Sequence, residues 1–510
     1  MAPRFQRQQR TVSQPPSARD NQPRRALLVL AASVVALAGL AAYALLVLAP
    51  GRNSPLPRPP ANARQPAAIV EHLRQAYAAA QREPGSAAAV GAYCLALHAD
   101  MFYALAQQCY TRVMVLSDDW TWIYLRALIR GDLGGGPELL RDLREVVARA
   151  PDFGSAWLRL GDAEFKAGRM EEAERAWTTA TTLPEPPRAA SAAGVPEHRV
   201  EVPLATHASL GLARIRLAKG DVEGAAEIVQ RKIAVGPPFS STWRLLAEIE
   251  TTRGRRAEAE RALARARRLP PYAPYADPMV DRLALESRNS TFLLRLASEA
   301  DLALNGAWSE FLTRRAISFD PDNPEVIIKL GRVLRTLGKT EEALTYFRRY
   351  ETMVPGDAAI LAHIGSTLSE MGRFTEAEPL LRRAAATLDD AVSHYNLALL
   401  LARTNRVEAA IVEYEAALER DAGDIRARSN LAAALVRQGD LRRAGEELGR
   451  VLQLDPEDAV AHVNIGLVYA QQGDVGRARR AFVEALRLDP SLTPARDALE
   501  ELSGSNTSNF

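Results

Sequence analysis

The sequence predicts an all-α solenoid built from helix–turn–helix repeats, and three series of residues predict it. Gly338, Gly372, Asn405, Gly439 and Gly473 recur at steps of 34, 33, 34 and 34. Ala343, Ala377, Ala410, Ala444 and Ala478 keep those steps, as do the small residues Gly331, Gly365, Ala398, Ala432 and Gly466. Asp-Pro pairs at Asp320-Pro321, Asp455-Pro456 and Asp489-Pro490 close some of the units. A fixed period in this range marks a repeat array, in which each unit buries its apolar face only against its neighbours.

Each unit reads as two helices. In Ala459–Leu492 the first spans about 459–472 and the second about 475–488. Ala478, Phe482, Ala485 and Leu486 fall on one face of the second. Gly473 can take the left-handed conformation that ends a helix. Small residues stand where two helices cross, because close approach leaves no room for a long side chain. The prolines fall between units, where a helix must stop.

The stretches "AHVNIGLVYAQQGDVGRARRAFVEALRLDP" at 461–490 and "IIKLGRVLRTLGKTEEALTYFRRY" at 327–350 resemble the tetratricopeptide repeat. The resemblance implies a right-handed superhelix and a role in binding proteins or peptide segments. It names an architecture and leaves the partner open.

Taken in order, residues 1–25 form a basic tail in which Arg4, Arg7, Arg10, Arg19, Arg24 and Arg25 face only Asp20. Residues 26–49 carry no charge. As a helix they reach about 36 Å, enough to cross a membrane. A cleaved signal peptide, whose apolar region is usually shorter, is the alternative. More arginines precede the span than follow it, where Arg52, Arg58 and Arg64 stand. That bias predicts a single-pass inner-membrane anchor with a cytoplasmic N-terminus and periplasmic repeats. Residues 50–66 are a Pro-rich linker. Degenerate repeat units occupy 67–186, with a helix over about 67–82, and a Pro/Ala-rich insert spans 187–205. Further units fill 206–269, a Pro/Tyr-rich connector spans 270–289, and the C-terminal array runs over 290–492. A capping helix at 493–502 and a polar tail at 503–510 end the chain, and the units number about eleven.

Composition excludes several functions. The 64 basic and 62 acidic residues leave a net charge of only +2, so no nucleic-acid partner is implied. The seven histidines show no metal-ligand spacing, and no covalent-haem or serine-nucleophile motif occurs. Gly338-Lys339-Thr340 lacks the upstream glycine of a phosphate loop, since Val333 holds that place. No catalytic residue, metal or cofactor is therefore expected. Trp122, Trp157, Trp177 and Trp243 fit helix packing, and Tyr272 and Tyr275 are read as cover for the connector. Cys94 and Cys109 share one unit. They read as two buried thiols, since Cys94 holds a small-residue position, with a disulfide as the alternative.

The candidate site follows from the repeat. Asn396, Asn430 and Asn464 hold one position on three successive first helices, and His363 and Lys329 hold it in the two units before. The resemblance implies that first helices line a concave, peptide-binding surface. An amide offers both donor and acceptor to a bound backbone. Helices about 8–10 Å apart would present one such group to roughly every third residue of an extended chain. Arg332, Arg335, Arg403, Arg426 and Arg437 flank the row and favour an acidic ligand. The expected function is a membrane-tethered scaffold in envelope assembly or secretion. The alternative is a non-catalytic subunit that recruits substrates to an enzyme on another chain.

Overall fold

The computed structural model describes residues 55–60, 65–186, 195–196, 199, 201–236, 239–271 and 273–504. The basic tail, the uncharged stretch 26–49, Tyr272 and most of the insert lie outside the described residues, as do parts of the linker and of the polar tail. Among the described residues every regular element is a helix, and none is long and apolar enough to cross a membrane.

In chain order the first helices are α1 (Ala67–Arg82), α2 (Ala87–Ala99), α3 (Tyr103–Leu116), α4 (Thr121–Asp132), α5 (Pro137–Arg149), α6 (Gly154–Lys166) and α7 (Met170–Thr182). Next come α8 (Leu204–Ala218), α9 (Val222–Val235), α10 (Ser240–Thr252), α11 (Arg256–Arg267), α12 (Pro278–Glu286), α13 (Ser290–Leu302) and α14 (Gly306–Phe319). The regular array holds α15 (Pro324–Thr336), α16 (Thr340–Met353), α17 (Ala358–Glu370), α18 (Phe374–Leu388), α19 (Ala391–Arg403) and α20 (Val407–Arg420). It ends with α21 (Ile425–Gln438), α22 (Leu441–Leu454), α23 (Ala459–Gln471), α24 (Val475–Leu488) and the cap α25 (Thr493–Gly504). These make eleven antiparallel pairs, with α1, α12 and α25 left over.

The array explains itself residue by residue. Asn323, Asp357, Asp390, Asp424 and Asp458 precede its five first helices, and each side chain accepts a hydrogen bond from a first-turn N–H. Each first helix ends on a residue with positive φ: Gly338 at 75°, Gly372 at 78°, Asn405 at 62°, Gly439 at 92° and Gly473 at 80°. Asparagine is among the few residues with a β-carbon that tolerate this conformation, which is why the series admits it once. Where the helices of a pair cross, Gly331 lies against Phe347, and a β-carbon there would sit 2.5 Å from that ring. Leu330, Leu334, Phe347, Ile360, Leu381 and Leu431 belong to one continuous core along the array.

The first half departs from that regularity. Its core is aromatic, with Tyr93, Tyr110, Tyr124 and Trp177 almost wholly buried. Cys94 and Cys109 form a disulfide with Cα atoms 5.2 Å apart, which corrects the expectation of two thiols. Both cysteines are wholly buried, Cys94 on α2 and Cys109 on α3, and that separation lies within the range a disulfide spans. The linker does more than space. Leu56 packs against the core, and Tyr93 donates from its hydroxyl to the Pro57 carbonyl, 2.7 Å away.

The connector departs furthest from expectation. It contains α12, started by Asp277, whose carboxylate accepts from Met279 N–H and Val280 N–H. Pro278 at the first helical position suits this start. Before it, Pro270, Pro271 and Pro274 forbid a continuous helix, and the chain runs back along the first helices of the preceding units. The Pro270 carbonyl accepts from Ser240 N–H at the head of α10, and the Pro274 carbonyl accepts from Val202 N–H just before α8. Ser155 on α6 donates to the Ala276 carbonyl at 3.3 Å, and Tyr124 on α4 donates to Asp277 at 2.7 Å. Ser287 then donates to the Ala99 carbonyl at the end of α2. The segment thus visits the first helices of five units in reverse order. It delivers α13 and α14 to the core that α2 and α4 began.

Candidate functional site

Two rows of first helices can be compared. In the N-terminal row the connector is the occupant. Arg159 on α6 places Nη2 2.9 Å from the Asp277 carboxylate and lies beneath the Tyr275 ring, which also meets His207 edge-on. Tyr275 is thus half-buried between the connector and the first helices α6 and α8. A second clasp closes the far end. His72 lies 3.0 Å from Asp100 and 2.9 Å from Glu286, and Arg288 N–H donates to Asp100. Burial opposes charge on that imidazole, yet its hydrogen bonds to Asp100 and Glu286 hold the pKa up at about 9. A cleft of about 280 Å³ lies where the connector and α13 meet α2, α4 and α6. Arg199 crosses it, 2.6 Å from Asp281 and stacked 3.5 Å from the Trp308 ring centre.

In the C-terminal row the predicted residues stand on α15, α17, α19, α21 and α23. Asn396 and Asn464 are half-buried, and among the described residues neither amide has a hydrogen-bond partner. Asn430 uses one N–H on the Tyr395 hydroxyl at 3.0 Å. Lys329 reaches back to Asp301 at 2.6 Å and Ser298 at 3.1 Å. Arg403 and Arg437 bond the terminal carbonyls of the preceding first helix, at Ser369 and Ala402, so both link neighbouring units. Arg426 lies over Tyr395 and beside Asp424. His363 stacks on Phe347, and burial together with Arg335 and Arg332 pushes its pKa down to about 4, so the ring is neutral at pH 7. Arg332 and Arg335 form no ion pair.

Sequence reasoning missed the apolar members of this row. Val392 and Val460 are 60% and 57% exposed, Leu467 is 40% exposed, and each lies three or four residues from an asparagine of the row. On α19, Val392, Asn396 and Leu399 share a face by their spacing of four and three, and Val460, Asn464 and Leu467 repeat it on α23. The same period that found the asparagines carries them.

Antiparallel helix pairs stacked on their neighbours define a helical-repeat solenoid. Tetratricopeptide-repeat family patterns match residues 124–182, 364–425 and 430–493, and another matches 324–353. These matched residues carry tetratricopeptide repeats. Among solved structures it is similar to YrrB, described as a TPR protein with an unusual peptide-binding site, at 21% identity. That match covers 37% of this chain and 97% of YrrB, with a TM-score of 0.32. PilF of Pseudomonas aeruginosa is 18% identical over 42% of this chain and 97% of its own, with a TM-score of 0.37. A chain of the APC/C hetero-tetramer Cut9–Hcn1 is 11% identical over 85% of this chain and 99% of its own, with a TM-score of 0.40. No curated protein matches the chain.

Proposed function

We propose that this protein is a membrane-tethered, non-catalytic scaffold of the bacterial envelope, active in assembly or secretion, that captures an extended protein segment along the C-terminal row. One observation carries the reading. The N-terminal row already holds an extended stretch of its own chain, whereas the C-terminal row presents unpartnered amides at Asn396 and Asn464 beside exposed valines. The family's general role in protein binding supports the same reading.

The uncharged stretch 26–49 supplies the tether, and the arginine bias before it favours repeats outside the cytoplasm. The Cys94–Cys109 disulfide fits an oxidising compartment. Only residues 50–55 separate the stretch from the packed Leu56, so the first unit would sit within about 20 Å of the membrane. Replacing Asn396, Asn430 and Asn464 together by alanine should leave the helical signal intact. Partner capture should weaken at least roughly tenfold, about 1.4 kcal/mol. Unchanged capture by the folded triple variant would remove the row from consideration. A reporter active only in the periplasm, fused after Phe510, should be active, and a silent fusion would reverse the topology.

A further inference from the structure

The C-terminal row has a pattern finer than its asparagines. On α19 one face carries the exposed Val392 and the half-buried Asn396 and Leu399. On α23, two units on, it reads Val460, Asn464 and Leu467. Between them α21 offers Arg426, whose side chain is 72% exposed, then Asn430 and the small Ala433. Two apolar pads therefore flank a basic, small-residue centre, and an amide lies in each of the three units.

From this we infer that the row selects an extended segment with two large apolar side chains six residues apart and a carboxylate between them. The inference rests on the scaffold reading above. First helices about 10 Å apart place the pads about 20 Å apart, and an extended chain covers that in about six residues. Six is an even number, so both anchors point to the same side of the strand. Residues two and four places after the first anchor share that side and come over Arg426. Its guanidinium is held on the Tyr395 ring, and its contact to Asp424 is a long 3.4 Å, so it remains able to take a ligand carboxylate. The helices α19, α21 and α23 carry no acidic residue within their spans, and Asp424, at 3.4 Å, is the ion-pair partner of Arg426. Burying two leucine-sized side chains contributes most of the affinity, and the amides add register without reading side chains.

The test uses labelled synthetic peptides on the full chain in detergent, read by fluorescence anisotropy. The parent peptide is acetyl-Ser-Leu-Ser-Glu-Ser-Glu-Ser-Leu-Ser-amide. Moving the second leucine one place inward puts it on the wrong side and should weaken binding at least roughly tenfold. Replacing both glutamates by lysine should weaken it similarly. Val392→Asp with Val460→Asp, both at exposed positions, should abolish the advantage of the parent peptide while the far-ultraviolet dichroism stays unchanged. Arg426→Glu should reverse the order, so that the lysine peptide binds better than the glutamate peptide. Equal binding of the six-spaced and five-spaced peptides, or an unreversed charge order with Arg426→Glu, would overturn the inference. If no peptide binds while capture of the native partner still depends on the three asparagines, this selectivity fails and the scaffold reading stands. If capture is also independent of the asparagines, both fail.

Discussion

The two halves of this molecule are built from one repeat and use it differently. In the C-terminal array, alanine, glycine and leucine keep the period, and the first-helix row is open. In the N-terminal half the first-helix row holds the connector: Ser155, Tyr124 and Arg159, all within the repeat-matching stretch 124–182, grip residues 276 and 277. Among the described residues, no such segment pairs with the row of the regular half. The comparison teaches where a solenoid is already filled and where it is available.

The largest expected effect comes from breaking the filled row. Asp277 is 5% exposed at its side chain, receives bonds from Tyr124 and Arg159, and starts α12. Asp277→Ala leaves the Arg159 guanidinium without its carboxylate and removes a helix cap, which should cost about 3 kcal/mol. Urea unfolding should show that loss, and limited proteolysis should cut near residue 275 before it cuts the array. A variant as stable and as resistant as the parent would mean that the connector is not held by this contact.

A second effect separates the halves by pH. The folded pKa of His72 is raised to about 9 from about 6.5, so its stabilisation is fully present below pH 6.5 and is lost as pH rises through 9. The loss is on the order of 3 kcal/mol. His363 in the array has the opposite sign: its folded pKa is lowered to about 4, so stability is lost as pH falls from about 6.5 toward 4. Alkaline weakening should therefore belong to the N-terminal half alone and should disappear in His72→Asn. Thermal midpoints between pH 6 and 10 for the two chains check this, and identical slopes would refute it.

The smallest effect concerns a contact between the halves. Arg265, lying over Trp243, bonds Glu457 at 2.6 Å, and Arg268 bonds Asp455 at 2.6 Å. Partly exposed pairs of this kind contribute roughly 0–1 kcal/mol each and are screened by salt. The distance between fluorophores placed at Leu263 and Val460 should lengthen as salt rises from about 0.05 to 0.5 M, a range over which the screening length shrinks several-fold. The Arg268→Ala variant should already be long at low salt.

Much of the fold was legible. The period placed α15–α24, and Asn405 at a glycine position correctly marked a left-handed turn. The asparagine row was legible as a set of positions, since 34-residue spacing puts them on equivalent turns. The return of the connector was not. The bond from Tyr124 to Asp277 spans 153 residues and belongs to no periodic series, so nothing local announces it. The uses of Arg403 and Arg437 were hidden for a related reason. A guanidinium that bonds the carbonyl of a neighbouring helix end looks, in sequence, the same as one left for a ligand.

The comparison rests on one row being filled and the other open, and site-specific photo-crosslinking in intact membranes tests that most directly. A photoreactive residue is placed at Ala433 on α21 in one chain and at Pro274 in the connector in another. Position 433 should yield adducts with a second protein, and these should vanish when Asn396, Asn430 and Asn464 are alanine. Position 274 should yield only internal links, to the segment around Val202, whose N–H bonds the Pro274 carbonyl. External adducts at 274 together with none at 433 would contradict the account.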